Sequence, residues 1–263
     1  MRKILFSDLD GTVIDGEQLI SKKDLEMLHK MRQAEHLLVF CTSRNKLEAD
    51  TVMKQHELPY DYLILNNGTQ IVSNHGEELF SMPFSYNLGM QILEYCQYLR
   101  DYYVYFYDSK RHLSCGILNG ITLAYDGTEY FPMNSNLIAE AGKSEAFDMI
   151  GIKFRTSKPE FSKMFRIAHD IKCVFENRVE VSLNTPSLSI TPNGQSKGSG
   201  LQKLVRLLPK DFETYSIGDS INDISMFEAA NHSFTFFRCS NLLKTNADQC
   251  VNYVYEVIEK ILL

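Results

Sequence analysis

Hydrophobic positions along the chain follow two different rhythms. Met1 to Leu5 leads an apolar run into Phe6, His36 to Cys41 is a second, and Tyr62-Leu63-Ile64-Leu65 a third. Short continuous apolar runs of this kind read as buried strands. Between the first two, Leu25, Leu28 and Met31 recur at helical spacing behind Ser21-Lys22-Lys23-Asp24, a helix-capping pattern, which predicts a helix over about 22–35. A second helix is expected over about 45–56. Strand, helix, strand in that order make a right-handed βαβ unit with parallel strands. Gln70–Val72 and Glu78–Phe80 flank Asn74-His75-Gly76 and predict a β-hairpin.

From about Phe84 the pattern changes. An amphipathic helix is expected over Asn87–Tyr102. A dense aromatic run, Tyr103–Tyr107, favours a strand. Further strands are expected at Gly120–Tyr125, Met149–Arg155, Cys173–Phe175 and Val179–Leu183, with a helix over Pro159–Ile171. After Leu188–Pro192, Ser196 opens a helix through Leu201, Leu204, Val205 and Leu208. The strand Thr214–Ile217 runs into a loop ending at Asp223. A helix at Ile224–Ala230, a strand at Ser233–Phe237 and a closing helix at Tyr253–Leu262 follow. The expected architecture is α/β: a Rossmann-like doubly wound parallel sheet core from residues 1–83 and 187–263, interrupted by an α+β insert at 84–186.

The chain has 263 residues, 44% of them apolar, enough for one sizeable core and a smaller one. A net charge of −6 without a long basic run argues against nucleic acid as a partner. No stretch is apolar enough to span a membrane, and Asp8 interrupts the N-terminal run before it reaches signal-peptide length. The six cysteines show no CxxC or metal-ligand spacing. They are expected to be free thiols, mostly buried, in a reducing, cytoplasmic compartment.

The candidate chemistry gathers where strands end. Asp8 and Asp10 stand at i and i+2 at the end of the first strand, followed by Gly11 and Thr12. Two carboxylates so close repel each other unless a cation neutralises them, and the carboxyl end of such a strand is where an open α/β sheet holds its ligand. The alternative is a polar turn with two solvated aspartates. Thr42-Ser43-Arg44 closes the second strand, either as an anion site or as helix capping. Lys197 occupies the first turn of the helix that Ser196 opens. A cation there is disfavoured unless an anion lies in front of it, the alternative being a solvated lysine. Asp219, Asn222 and Asp223 crowd the loop after Ile217, as ligands or as helix caps. Within the insert, Arg111 and His112 fall in a polar turn after Asp108, as substrate contacts or as a solvated turn.

Five segments in order, Asp8-Leu9-Asp10-Gly11-Thr12, Thr42-Ser43-Arg44, Asn66-Asn67-Gly68-Thr69, Ser196-Lys197-Gly198 and Gly218 to Asp223, together resemble the haloacid dehalogenase (HAD) superfamily, and within it the Cof-type phosphatases with a C2 cap. Two departures stand out. The family's usual TGR is Thr42-Ser43-Arg44 here, and Asn231–Arg238 carries three phenylalanines where many relatives have a small-residue turn.

The resemblance implies a Mg2+-dependent phosphatase of small phosphorylated metabolites, with sugar phosphates the expected class. Asp8 would be the nucleophile and Asp10 the general acid and base. Mg2+ would be held by the Asp8 carboxylate, the Asp10 carbonyl and Asp219, with Asp223 orienting metal-bound water or Lys197. Thr42, Ser43, Lys197 and Asn222 would hold the phosphate, and Arg44 would face the insert or the substrate. The insert would act as a lid over the sheet's carboxyl edge. Asp10 separates the chain from the dehalogenase relatives, which lack an acid there. A phosphomutase, a pathway phosphatase of the sucrose- or mannosylglycerate-phosphate type, and a non-catalytic phosphometabolite-binding regulator remain as alternatives.

Overall fold

The N-terminal apolar run forms strand β1 (Lys3–Ser7), whose Ile4, Leu5 and Phe6 are fully buried. In the computed structural model, residues 2–16, 19–97, 99, 102–111, 114–118, 121–125, 130–133, 136–154, 160–209 and 211–263 are described. The chain continues through α1 (Lys22–Gln33), β2 (Leu37–Cys41), α2 (Lys46–Gln55), β3 (Tyr62–Leu65), β4 (Gln70–Ser73) and β5 (Glu78–Ser81). Ser21 caps α1 as its position suggests, accepting from the Asp24 backbone N–H, although at 3.5 Å the bond is long. The expected hairpin is β4–β5.

Next come β6 (Phe84–Ser85), α3 (Tyr86–Cys96), β7 (Tyr102–Asp108), β8 (Ser114–Leu118), β9 (Ile121–Tyr125), β10 (Tyr130–Met133), α4 (Leu137–Ala141), β11 (Ala146–Phe154), α5 (Phe161–Phe175), β12 (Val179–Asn184) and β13 (Ser187–Pro192). The chain closes with α6 (Lys197–Leu207), β14 (Glu213–Ile217), α7 (Ile224–Ala229), β15 (His232–Phe236), α8 (Asn241–Asn246), β16 (Gln249–Val251) and α9 (Val254–Leu262). No helix among the described residues is long and apolar enough to cross a membrane.

Two compact units result. The first contains Met1–Thr42, Asp50–Phe80 and Ser196–Leu263, and the second Ser43–Ala49 and Ser81–Gln195. The first is built on a sheet of order β16-β15-β14-β1-β2-β3-β4-β5, in which β16 through β3 run parallel and β4 is antiparallel. Ile4, Phe6, Val39, Cys41 and Ile64 share one face and pack with Leu201 and Leu204 of α6, Met226 and Phe227 of α7 and Leu243 of α8. Strand alternation turns Leu5, Leu38 and Phe40 to the other face. There α1 and α9 are joined by the Tyr255 N–H donating to Asp24 and by a Lys23–Glu259 ion pair. Val254, Val257, Ile258 and Ile261 form the buried stripe of α9. Each such side chain stabilises the fold by roughly 1.5–3 kcal/mol.

The second unit is an antiparallel sheet with α3, α4 and α5, its strands in the order β10-β9-β8-β7-β11-β13-β12, with β6 also on β11. Three expectations change here. Cys173–Phe175 is the last turn of α5 rather than a strand, because Ile171 and Phe175 continue the buried stripe begun by Met164, Ile167 and Ala168. Leu188–Pro192 pairs with β11 and β12, so residues 187–195 belong to this second unit. The helix after Asn87 ends at Cys96 rather than running to Tyr102, where β7 begins. His112, Gly120, Arg155 and Pro159, which the sequence reading placed in a turn, two strands and a helix, lie outside the described residues. All six cysteines are free thiols, but only Cys41, Cys96 and Cys115 are buried.

Candidate active site

Parallel pairing of β1 with β2 and β14 brings three strand ends to one edge. Ser7 pairs with Phe40 and with Ile217, so Asp8, Thr42 and Asp219 emerge within one or two residues of each other in register. Two backbone bonds reinforce this edge: Asp8 N–H donates to the Ile217 carbonyl (2.9 Å) and Thr42 N–H to that of Ile64 (2.9 Å). Beyond β1 the chain closes a tight turn. Gly11 N–H donates to the Ile14 carbonyl (2.6 Å), and Val13 and Ile14 N–H groups both reach the Leu9 carbonyl. Gly11 has φ +87°, and a Cβ there would lie 2.3 Å from an Asp219 carboxylate oxygen, so position 11 needs glycine for both conformation and space.

Lys197 is the centre of the charge arrangement. Its side chain is 1% exposed, and Nζ donates both to Asp8 Oδ1 and to Asp223 Oδ1, the latter at 2.6 Å. Ser196 and Ser199 form a reciprocal capping box that fixes the start of α6 and thereby the direction of Lys197. Asp223 Oδ2 accepts from the backbone N–H groups of Asp219 (3.0 Å) and Ser220 (2.9 Å). The Thr12 hydroxyl donates to Asp219 Oδ1 at 3.1 Å.

The carboxylates of Asp8, Asp219 and Asp223 each place an oxygen within 4.8 Å of the others. Burial, then Asp223 and Asp219, push the Asp8 carboxyl well above the ordinary range, against the opposing pull of Lys197. Burial and the Asp223 charge also raise Asp219. Burial alone would lower Lys197, but the Asp223 and Asp8 carboxylates outweigh it and hold the ammonium above its usual range. One lysine thus faces three clustered acids, and a hard divalent cation is what such an all-oxygen donor set accommodates. Mg2+ fits these residues. Cys41 ends β2 beside this charge, and burial pushes its thiol above the usual range.

The remaining expected residues are distributed unevenly. The Asp10 carboxylate lies outside the three-acid cluster. Asn222 is buried and donates through Nδ2 to Asn67 Oδ1 (3.1 Å), while Asn67 N–H donates to the Thr42 carbonyl (3.0 Å). The Asn66-Asn67-Gly68 turn therefore links the ends of β2 and β3 to the loop carrying Asp219. Asn66 is buried, and neither polar atom of its side chain has a hydrogen-bond partner among the described residues. Ser43 and Arg44 belong to the Ser43–Ala49 segment of the second unit. There Glu48 of α2 accepts a 2.8 Å hydrogen bond from Tyr107. Arg111 is exposed, pairs with buried Asp108 (2.9 Å) and donates to the Ser144 hydroxyl (3.1 Å).

Sequence reasoning did not anticipate the Asn67–Asn222 bridge or two contacts from the end of β15. Arg238 donates to the Gly11 carbonyl (2.6 Å), and the Cys239 thiol to that of Asp219 (3.7 Å). The phenylalanine-rich departure at Asn231–Arg238 was the one signal pointing to that region.

Residues 5–258 match the family model of the haloacid dehalogenase-like hydrolases. The chain is 24% identical over 236 residues to the HMP-PP phosphatase of Serratia proteamaculans, covering 88% of this chain and 82% of the relative. It is 22% identical over 247 residues to the glucosyl-3-phosphoglycerate/mannosyl-3-phosphoglycerate phosphatase of Methanococcoides burtonii, covering 89% and 84%. The fold is shared with a HAD/COF-like hydrolase from Plasmodium vivax (TM-score 0.77, 17% identity, 99% and 95% covered) and with a haloacid dehalogenase-like hydrolase from B. subtilis (TM-score 0.75, 16% identity, 99% of each covered). With its parallel sheet, its strand-end carboxylates and a family match over nearly its whole length, this chain belongs to the haloacid dehalogenase-like hydrolases.

Proposed function

We propose that the protein is a Mg2+-dependent phosphatase of small phosphorylated metabolites, sugar phosphates being the expected class, and that it works through an aspartyl-phosphate on Asp8. The observation that carries this reading is Lys197, buried between Asp8 and Asp223 beside Asp219 at the carboxyl edge of the sheet. A binding protein has no need of a nucleophile held against a buried ammonium. The substrates named for the two relatives support the class: one carries the name of an HMP-PP phosphatase, the other that of a phosphatase of glycosylated 3-phosphoglycerates.

In this reading an Asp8 oxygen attacks phosphorus as the ester P–O bond breaks, and Asp10 gives a proton to the leaving alkoxide. Asp10 then takes a proton from water, which attacks phosphorus, releases phosphate and restores Asp8. Thr42, the Ser43 amide, Lys197 and Asn222 hold the phosphoryl oxygens, and Arg44 contacts the substrate. Asp8, the Asp10 carbonyl and Asp219 would hold Mg2+, while Asp223 orients Lys197. When bound, the cation neutralises charge on the transferring group. Residues 84–186 act as a cap that selects the leaving group.

Phosphate release from a panel of phosphorylated metabolites and a generic aryl phosphate, with Mg2+ and with chelator, tests the reading. Turnover should require Mg2+, and Asp8→Asn should lower it by on the order of a thousandfold or more while the protein stays folded. Full activity in chelator, or comparable turnover by folded Asp8→Asn, defeats the proposal.

A further inference from the structure

Arg238 lies two residues beyond Phe236, the last residue of β15. Its guanidinium carbon sits 3.7 Å from the centroid of the Phe236 ring, and Phe236 is itself buried. From that platform Nη2 donates to the Gly11 carbonyl at 2.6 Å. Gly11 is the left-handed residue between Asp10 and Thr12, packed against the Asp219 carboxylate. The next residue, Cys239, donates its thiol to the Asp219 carbonyl at 3.7 Å. Consecutive side chains thus grip the loops after β1 and after β14, the two loops that bring Asp8 and Asp219 together. Gly11, Thr12, Asp219 and Arg238 also line one cavity of about 330 Å3, which meets the acid cluster at Asp219 and is not lined by Asp8, Lys197 or Asp223.

We propose that Arg238 is a positioning residue for the cation site: it holds the Gly11 carbonyl and keeps the Asp8–Thr12 turn closed against Asp219. The proposal rests on the reading of this edge as a Mg2+ site. It makes a prediction whose sign opposes simple electrostatics. A guanidinium near the acids repels a divalent cation, so its removal should tighten Mg2+ binding if charge were its only influence. If it positions the turn, its removal should weaken binding. A bond from a charged donor at an exposed position supports a loss of about three- to tenfold in affinity.

The experiment is calorimetric titration of the substrate-free full chain with Mg2+, together with thermal unfolding in chelator. Wild type, Arg238→Met and Arg238→Lys are compared. Methionine keeps an apolar stem over Phe236 and removes both charge and donor, whereas lysine keeps both. The expected result is weaker Mg2+ binding by Arg238→Met, binding by Arg238→Lys within about twofold of wild type, and unchanged unfolding of both in chelator. Binding by Arg238→Met as tight as wild type or tighter overturns the proposal. So does equal weakening in both variants, or a metal-free loss of stability in Arg238→Met that accounts for its weaker binding. The wild-type titration is read first: no Mg2+ binding there removes the metal reading itself and Arg238's role with it, an outcome distinct from a failure confined to the variants.

Discussion

Lys197 shows how much of this site depends on single charges in a dry environment. Two carboxylates share its ammonium, and none of the three groups can turn to water. Replacing it with methionine preserves much of the volume and leaves Asp8 and Asp223 buried without their cation. Lys197→Met should therefore destabilise the metal-free fold by about 3–5 kcal/mol as well as suppress turnover, with chemical denaturation as the check. His36, far from the site, makes a cleaner pH probe. Its Nδ1 accepts from the Lys3 backbone N–H at 3.2 Å, and burial, then the Lys3 and Arg2 charges, hold its pKa below the ordinary 6.5. A base with a depressed native pKa is protonated more readily when unfolded. Its contribution is therefore complete above pH 6.5 and shrinks as pH falls below that value. His36→Asn keeps an acceptor but cannot titrate. Its unfolding free energy should decline less steeply between about pH 6.5 and 5 than that of wild type; parallel pH profiles for the two proteins would contradict this.

At the scale of elements, the chemistry is held by junctions rather than by regular structure. Asn66, Asn67 and Gly68 take φ values of 50°, 52° and 99° in succession, an unusual run outside glycine. The turn buries itself against the start of α6: a Cβ on Gly68 would come within 2.1 Å of the Ser196 carbonyl. That carbonyl belongs to the residue that caps the helix aiming Lys197. Gly68→Ala should cost about 2–4 kcal/mol from left-handed strain and overpacking. Because the clash falls on the Lys197 helix, the same variant should lose kcat out of proportion to any change in KM. A stability loss with kcat intact would show that α6 absorbs the shift elsewhere. Elements chosen by local periodicity were read correctly where one stripe dominated, as in α1, α6 and α9. Cys173–Phe175 was misread because three β-compatible residues look like a short strand until the buried stripe of α5 is seen to run through them.

At the scale of the whole molecule, each unit has its own sheet, and the three clustered acids and Lys197 all come from the first. A perturbation of the second sheet should then affect stability without touching the cation site. Gly151 on β11 is a suitable place, since a Cβ there would lie 2.0 Å from the Tyr105 ring. Gly151→Val should lower stability by about 1–3 kcal/mol and leave Mg2+ affinity in calorimetry within about twofold of wild type. A larger change in Mg2+ affinity would mean that the second unit shapes the cation site.

The sequence by itself determined the parallel core, the order of its elements and the residues able to do the chemistry. Buried parallel strands are continuous apolar runs, and a carboxylate directly after one has little choice but to stand at the sheet's carboxyl edge. It also indicated that Lys197 needs an anion in front of it, from the helix dipole alone. Which anion it meets was a tertiary matter: Asp8 and Asp223 lie 189 and 26 residues away in the chain and reach Nζ only once β1, β14 and α6 are assembled. The same holds for the Asn67–Asn222 bridge, 155 residues apart, and the Arg238–Gly11 bond, 227 apart. No local propensity encodes such pairs, because each partner is satisfied by water until the sheet brings them together. The place of Leu188–Pro192 was decided in the same way. Its residues suit a buried strand in either sheet, and pairing with β11 and β12 settled which one it joined.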